Sequence, residues 1–396
     1  MSRLLAAALF AAILAPLNST LLAVLLPPVA ADLHVTTGSA TWLITGYLVL
    51  LGVMQPVGGR LGDRFRRRPL MLGGLTAFGA ATLAMALAPS FTVLFGLRLA
   101  QAAAGAIVFP NAFALLRDAP PSQGRGLRFG VVGAAVAFAA AAGPVLAGGV
   151  VSIAGWRGVV LATLPFVLLA VVLAWHLPRG TAAGSSAQRP SPLIAVARRP
   201  GLVAAATAMA LTSLVMYMAV AGLPIALGQL QRRPAWQTAW LLGVMLLGAA
   251  ICSPLGGRIS DVRGSRAPAA IGLCLLAGAI LPTLLQFRAP SLVALTLELA
   301  VAGAGLGLAM AAIQVSGMEA ASGADAGAAA GILATARYAG GAIGSALVGI
   351  GLAASVRPTL AWLVLGSAAV ALVAAGTSVR LPRAEPFPTL VDLVRN

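Results

Sequence analysis

Residues 40 to 69 read ATWLITGYLVLLGVMQPVGGRLGDRFRRRP, an apolar run that ends in an arginine-rich loop. Residues 238 to 268 repeat this stretch. Seven residues recur at a constant offset of 198: Trp42, Leu43, Pro56, Gly58, Gly59, Arg60 and Asp63 return as Trp240, Leu241, Pro254, Gly256, Gly257, Arg258 and Asp261. Repeated identity at one spacing indicates an internal duplication, so the chain consists of two similar halves of about 200 residues each.

The loop within this stretch combines residue types with distinct physical roles. Gly58 and Gly59 allow a helix end to pack closely on a neighbour, and Asp63 suits the positive end of a helix. The arginines favour the cytoplasmic side of a membrane; they are Arg60, Arg64, Arg66, Arg67 and Arg68. The duplicated loop therefore predicts a cytoplasmic connection that contacts another helix.

The composition indicates a polytopic membrane protein. Hydrophobic residues make up 60% of the chain, charged residues make up 9%, and the mean hydropathy is +0.98. Soluble globular proteins carry about 25% charged residues. The formal net charge of +17 would suit nucleic acid, but the arginines lie between apolar runs and not along one exposed face. We therefore predict a lipid-embedded chain without a nucleic-acid partner.

Residues suited to catalysis or metal binding are scarce. His34 and His176 are the only histidines and cannot assemble a metal site or a catalytic triad. Cys252 and Cys274 fall inside predicted spans, where packing is the expected role. The sequence thus predicts no enzyme activity, no metal and no cofactor.

Apolar runs of about 20 residues predict an all-α protein with twelve transmembrane helices. The first run is too long for the apolar region of a cleaved signal peptide. The predicted spans are 4–30, 40–59, 70–88, 91–116, 127–152, 156–177, 201–228, 237–257, 268–287, 291–315, 328–353 and 359–380.

Arginine placement predicts the orientation and the domain boundaries. The loops after spans two, four and six are rich in arginine, so both termini are expected in the cytoplasm. Arg232 and Arg233 lie on the outer side in this topology and depart mildly from the rule. Six-helix bundles are predicted at 1–177 and 201–380, a flexible solvated linker at 178–200 and a cytoplasmic tail at 381–396.

Several motifs resemble those of the major facilitator superfamily. The spacing G-x-x-x-D-R-x-x-R-R from Gly59 resembles the loop between the second and third spans of that family. The family has glycine at the position of Arg66, and the second copy keeps it as Gly264. GPVLAGG, with Gly143, Pro144, Gly148 and Gly149, resembles the fifth-span motif of the family's antiporters. These glycines also allow close helix approach, and the proline weakens the helix backbone.

Further stretches are similar to the multidrug branch of this family. The second span carries W-x-x-T-x-Y with Thr45 and Tyr47, and the fourth carries R-x-x-Q with Arg98 and Gln101. A late span carries R-x-x-G-G-x-x-G from Arg337. The first span departs from the branch, because Asn18 stands where it normally has an aspartate. Asparagine cannot carry a proton, so the usual acid of the first half is missing.

Three charges are predicted deep inside spans, namely Arg98, Glu298 and Arg337. A charge in a helix centre costs about 2.5–3.5 kcal/mol on insertion scales, so each needs a reason. Arg98 and Glu298 occupy matching points of the repeat at an offset of 200. We predict that Glu298 couples transport to protons with Arg98 as its switch, and a permanent structural pair with Arg98 or Arg337 is the alternative.

The resemblance implies two pseudosymmetric six-helix bundles around a central cavity that opens alternately to each side. The expected function is export of a small, lipophilic, drug-like or antibiotic-like compound in exchange for protons, by a monomer in the bacterial inner membrane. Uptake or facilitated efflux of a sugar or organic anion is the second hypothesis, and a channel or inactive sensor is the third. Cavity residues are expected at Asn18, Thr45, Tyr47, Gln101, Tyr217 and Arg337.

A conformational latch is expected at the duplicated loop. It comprises Gly59, Asp63, Arg64 and Arg67, with Asp261 in the second copy. The resemblance places Asp63 against the start of span eleven, near residues 325–331. The loop after span ten has no arginine but contains Glu319 and Asp325, so these acids are expected to pair with arginine loops of the other half.

Overall fold

The computed structural model describes residues 3–35, 37–40, 42–118, 124–177, 191–225, 235–282, 291–321, 323–354, 356–378 and 381. The helices of the first half are α1 Arg3–Asp32, α2 Thr37–Ala40, α3 Trp42–Arg64, α4 Arg67–Ala86, α5 Phe91–Asp118, α6 Arg125–Leu161 and α7 Leu164–Trp175. The remainder are α8 Leu193–Ala197, α9 Pro200–Ile225, α10 Ala235–Arg263, α11 Arg266–Ile280, α12 Leu292–Glu319, α13 Ala326–Ala354 and α14 Val356–Ser378, with a 3-10 turn at Gly323–Asp325.

The long helices suit a membrane because their outer faces are apolar. Nine stretches of the described helices are long and apolar enough to span a bilayer, and two shorter apolar helices, Arg266–Ile280 and Leu365–Ser378, accompany them. Val49, Val53 and Ile153 are 55%, 65% and 89% exposed, respectively. Such side chains are stable in lipid, and a helix satisfies its own backbone there. The predicted all-α membrane fold is confirmed.

A break inside α6 separates the predicted fifth and sixth spans. Gly155 has φ 64° and ψ −174°, while the residues on either side continue the helix. This conformation is in the positive-φ region that side chains with a Cβ rarely adopt. The chain therefore turns at the glycine that follows the predicted end of span five, and the sixth span continues through α7.

Equivalent helices of the two halves form the interface between them. The offset of the repeat relates α3 to α10 and α6 to α13. In the structure α3 packs on α13, and α10 packs on α6. The duplication therefore produces a pseudo-twofold arrangement in which each half contributes the same two helices to the contact.

The end of the predicted linker forms a short helix that contacts the second half. Residues 178–190 lie outside the described part, but α8 follows them and Val196 is fully buried. Ser191 donates two hydrogen bonds to Asp325, from its amide at 2.7 Å and from its hydroxyl at 2.8 Å. Residues 191–199 thus contain a short helix that is held at Val196 and at Asp325, while several of their side chains remain exposed, and the flexibility of the linker stays a prediction. Of the predicted tail, only Leu381 is described, and Arg232 and Arg233 also lie outside the described residues.

Candidate functional site

The contact between α3 and α13 is built around Asp63. Its carboxylate accepts hydrogen bonds from the amides of Gly327 and Ala328, both at 2.8 Å, in the first turn of α13. Arg67 donates to the same carboxylate at 3.0 Å. A carboxylate is stabilised there because the first amides of a helix lack internal partners and carry partial positive charge. This is the region where Asp63 was expected.

Asp261 makes the equivalent contact in the other half. Its two oxygens accept from the amides of Gly126 at 2.6 Å and Leu127 at 3.0 Å, in the first turn of α6. The duplicated motif therefore joins the two halves at two places, where α3 contacts α13 and where α10 contacts α6. We call the end of the molecule that carries both contacts the arginine-rich end.

Glycines make these two contacts possible. A Cβ added at Gly59 would collide with the carbonyl of Gly327, and one at Gly257 would collide with the carbonyl of Gly126. The backbones of the two halves thus touch directly beside each aspartate. Any side chain at these positions would push the helices apart.

Other charged residues surround the contact of Asp63. Arg67 also binds Asp118 at the end of α5, whereas Arg64 is exposed. Asp325 forms ion pairs with Arg60 at 3.6 Å and with Arg199 at 2.6 Å. The pairing of Asp325 with an arginine loop of the first half is therefore present, as expected.

A buried polar cluster lies inside the first half around Arg98, which has no solvent exposure. Its Nη1 donates to Asn18 Oδ1 at 2.9 Å and to Gln101, and its Nε donates to the carbonyl of Leu43 at 3.2 Å. The guanidinium carbon lies 3.8 Å from the ring centre of Tyr47, which gives a cation–π contact. The structure thus brings four predicted residues together.

A matching polar group lies in the second half. Arg337 on α13 donates to Gln314 on α12 at 3.1 Å. Tyr217 packs on the backbone of α13 at Gly341, where a Cβ would come within 2.7 Å of its ring. Tyr338 lies within electrostatic reach of Tyr217 and of Tyr47.

All three tyrosines of the chain therefore lie near one another, where the halves meet. Gln55 lies beside Tyr338, and Thr335 donates to the carbonyl of Gly52 across the α3–α13 contact at 2.5 Å. Burial of polar side chains in a membrane costs free energy unless they form hydrogen bonds with each other or with a ligand. Their convergence marks the candidate site.

Thr45 does not join this cluster. It lies two residues before Tyr47, which is about 200° around a helix. It is exposed on the same side of α3 as Trp42 and Val49, where lipid would contact it. The second-span motif therefore supplies Tyr47 to the interior and Thr45 to the outer surface.

Glu298 is placed apart from Arg98. It lines an apolar groove between α11 and α12, with a volume of about 670 Å³ and with Ile271, Cys274 and Val301 among its other lining residues. Leu297 beside it is 63% exposed, so the groove lies on the outer surface of the second half. The contacts of the Arg98 side chain described above all lie within the first half, and this conformation does not bring the pair together.

The fifth-span motif packs on the first helix. A Cβ added at Gly143 would collide with the side chain of Thr20 on α1, whereas one at Gly149 would meet no atom within 4 Å. Pro144 and Gly148 belong to α6, and their surroundings lie outside the described part. The glycine at the start of the motif is thus the close-contact position.

Several site residues were missed by the sequence analysis: Gln55, Thr82, Asp118, Gln314 and Tyr338. Thr82 accepts a 2.7 Å hydrogen bond from Gln101 and in turn donates to a carbonyl of its own helix. Asp118 could have been predicted from the sequence to form an ion pair, because it is an acid that lies close to Arg117, Arg125 and Arg128. Within the described residues, no group of three or more histidine, cysteine or acidic side chains could hold a metal ion.

Two duplicated helical halves meet at equivalent contacts, and polar residues converge between them, which defines a duplicated multi-pass membrane protein. The sequence profile of the Major Facilitator Superfamily matches residues 8–345, and the chain belongs to this family. The all-helical fold of the described residues agrees with the twelve-helix fold of that family, whose members are transporters.

Several curated relatives are named for drug resistance or export. The chain is 33% identical over 156 residues to the tetracenomycin C resistance and export protein of Streptomyces glaucescens. This alignment covers 39% of this chain and 29% of that protein. It is 34% identical over 165 residues to a multidrug resistance protein B homolog of Mycobacterium tuberculosis, covering 41% and 30%. It is 32% identical over 164 residues to a lincomycin resistance protein of Bacillus subtilis, covering 41% and 34%. The chain thus spans about a third of the length of the curated relatives it matches.

Proposed function

We propose that this protein exports a small, lipophilic, drug-like or antibiotic-like compound in exchange for protons, by alternating access across the bacterial inner membrane. The arginine-rich end faces the cytoplasm under this proposal, since positive loops remain on that side. The relatives support export, because three of them carry resistance or export in their names.

The observation that carries the alternating-access part is the pair of equivalent aspartate contacts. Asp63 and Asp261 tie the halves together at the arginine-rich end through a few hydrogen bonds to helix amides. Such contacts can be exchanged with water at modest free-energy cost, about 0.5–1.5 kcal/mol net for a typical hydrogen bond and more for charged ones. A rocking motion of the halves could therefore break both sets together and open the polar cluster to the cytoplasm.

Proton coupling is assigned to Glu298 in this proposal. Among the described carboxylates, the others lie at or near helix ends, whereas Glu298 follows the start of α12 by about two turns. A carboxyl in an apolar groove can bind and release a proton as its surroundings change. Arg98 would act as the switch only in a conformation other than this one, since here it is bound to Asn18 and Gln101.

The test is transport by purified protein in vesicles with an imposed pH gradient, using a substrate found by screening drug susceptibility of a host that expresses the chain. Glu298→Gln should lose accumulation against the substrate gradient while keeping downhill exchange. Glu319→Gln, an acid at the other end of the same helix, is the matched control and should still accumulate substrate.

Each part of the proposal can fail separately. Uphill accumulation by Glu298→Gln at the parental rate would show that coupling lies elsewhere. Flux that ignores the pH gradient in the parent would indicate a channel or facilitator, and complete absence of flux would favour a sensor. A sugar or organic anion as the transported compound would support the second hypothesis, for which the buried Arg98 is the favourable observation.

A further inference from the structure

The buried guanidinium of Arg98 has only neutral partners among the described residues. Its contacts are the amide oxygens of Asn18 and Gln101, the carbonyl of Leu43 and the ring of Tyr47. A charge removed from water needs a counter-charge or a full set of hydrogen bonds, because desolvation otherwise costs several kcal/mol. Among the described residues Arg98 has no counter-charge, and its set of hydrogen bonds is incomplete.

The acids that the structure describes lie away from Arg98. Asp32 pairs with Arg157, Asp63 and Asp118 pair with Arg67, and Asp325 pairs with Arg60 and Arg199. Asp261 binds the start of α6, Glu298 lines the outer groove and Glu319 ends α12, while Glu385 and Asp392 lie outside the described residues. None of the described ion pairs involves Arg98 or Arg337, so no described acid neutralises Arg98.

Three hydrogen-bonding atoms of this cluster have no partner among the described residues: Nη2 of Arg98, Nδ2 of Asn18 and the hydroxyl of Tyr47. All three can donate. The Asn18 amide is oriented by the bond from Arg98 to its oxygen, which leaves its NH2 group for another acceptor. Arg98 and Tyr47 are fully buried and Asn18 is 7% exposed, so these unpartnered donors are shielded from solvent.

We infer that Arg98, Asn18 and Tyr47 bind a monovalent anionic group. One negative charge would balance the single guanidinium, and its lone pairs would accept from the three unpartnered donors. A dianion would be disfavoured, because a second charge would have to lose its water without a counter-charge. The shared chemistry fits the carboxylate of an acidic transported compound or a halide ion. Binding of a substrate carboxylate rests on the proposed transport function, whereas binding of a halide ion is independent of it.

The test measures anion binding without transport. Purified protein in detergent is titrated with sodium chloride or sodium benzoate at constant ionic strength made up with sodium sulfate, whose dianion the site should disfavour, and thermal unfolding is followed. A ligand that binds the folded state raises Tm in a saturable manner, and we expect a shift of about 2 °C or more with at least one of the two anions. A shift with chloride alone assigns the site to an inorganic ion, and a shift with benzoate alone assigns it to a substrate carboxylate. Mutual competition would show one site that accepts both.

Asn18→Asp places a carboxylate of the same size 2.9 Å from the guanidinium of Arg98. This internal counter-charge should abolish the anion-dependent shift and raise Tm in sodium sulfate alone. Gln314→Glu is the matched control, because it puts a carboxylate beside the other arginine, Arg337, and should retain the shift.

No saturable shift in the parent, or a shift that persists in Asn18→Asp, would overturn the inference. Because the assay uses neither a membrane nor a proton gradient, its failure leaves the export proposal standing. Conversely, loss of proton-driven transport would not affect binding of the anion.

Discussion

At the residue scale, Asp32 forms an exposed ion pair with Arg157 that changes the pKa of its carboxyl group. It lies at the end of α1, beyond the apolar stretch Leu4–Leu22. Arg157 donates to it at 2.6 Å and Trp156 at 3.1 Å. These hydrogen bonds, that from Arg157 above all, hold the pKa of Asp32 below its ordinary value of 3.8.

The lowered pKa gives a defined pH dependence. A carboxyl with a depressed pKa in the folded state stabilises the fold above its unfolded pKa, and the contribution is lost as pH falls through the folded pKa. The difference in Tm between the parent and Asp32→Asn should therefore be present at pH 6 and shrink below a pH of about 4. This difference in Tm should be small and should decrease with added salt, because the ion pair of Asp32 and Arg157 is exposed. Arg157→Gln should remove the same pH-dependent part, and a difference that is constant down to pH 3 would contradict the assignment.

At the element scale, packing of α6 on α1 depends on Gly143. Gly143→Leu should insert a side chain where a Cβ already collides with Thr20, and overpacking of this kind typically costs about 1–3 kcal/mol. We expect normal membrane insertion with strongly reduced transport, because α6 also forms the contact with α10.

Gly149→Leu is the control within the same motif. A Cβ at Gly149 meets no atom within 4 Å, so the larger side chain should be tolerated. The measurement is membrane-inserted protein by quantitative blot together with substrate efflux. Equal efflux by the two variants would show that the close approach at Gly143 does not matter for the motion.

At the scale of the whole molecule, the two aspartate contacts should act as one latch. Asp63→Asn keeps the shape of the side chain and removes the charge that favours the start of α13, a change of about 0.3–2 kcal/mol for a charge at a helix terminus. Asp261→Asn should have a similar effect at α6. Each variant should fold but populate a state opened at the arginine-rich end more often, and the double variant should do so most.

The measurement is cysteine accessibility in a background that lacks Cys252 and Cys274. A reporter Thr335→Cys lies at the α3–α13 contact, and its labelling from the arginine-rich side should rise in the order parent, single variant, double variant. Arg66→Gln is the control, because Arg66 is exposed next to the latch without belonging to it and its loss should leave labelling unchanged. Unchanged labelling in all aspartate variants would show that the contacts do not control opening.

The sequence by itself determined the helical fold, the duplication and the region that Asp63 contacts. Apolar runs of about 20 residues have few alternatives to a spanning helix, since lipid leaves the backbone no other partner. A constant offset of 198 showed that Asp63 and Asp261 occupy equivalent positions. Family resemblance then pointed Asp63 to the start of α13, where the structure places it.

The tertiary structure decided which side chains face one another. Helices that are apolar all round carry little information about rotation, because lipid and protein interior both accept the same residues. For this reason the sequence could not show that Thr45 faces outward, that Glu298 lines an outer groove, or that Tyr47, Tyr217 and Tyr338 converge. The neutral surroundings of Arg98 were equally hidden, because they depend on side chains from α1, α3 and α5 that meet only when the bundle has assembled.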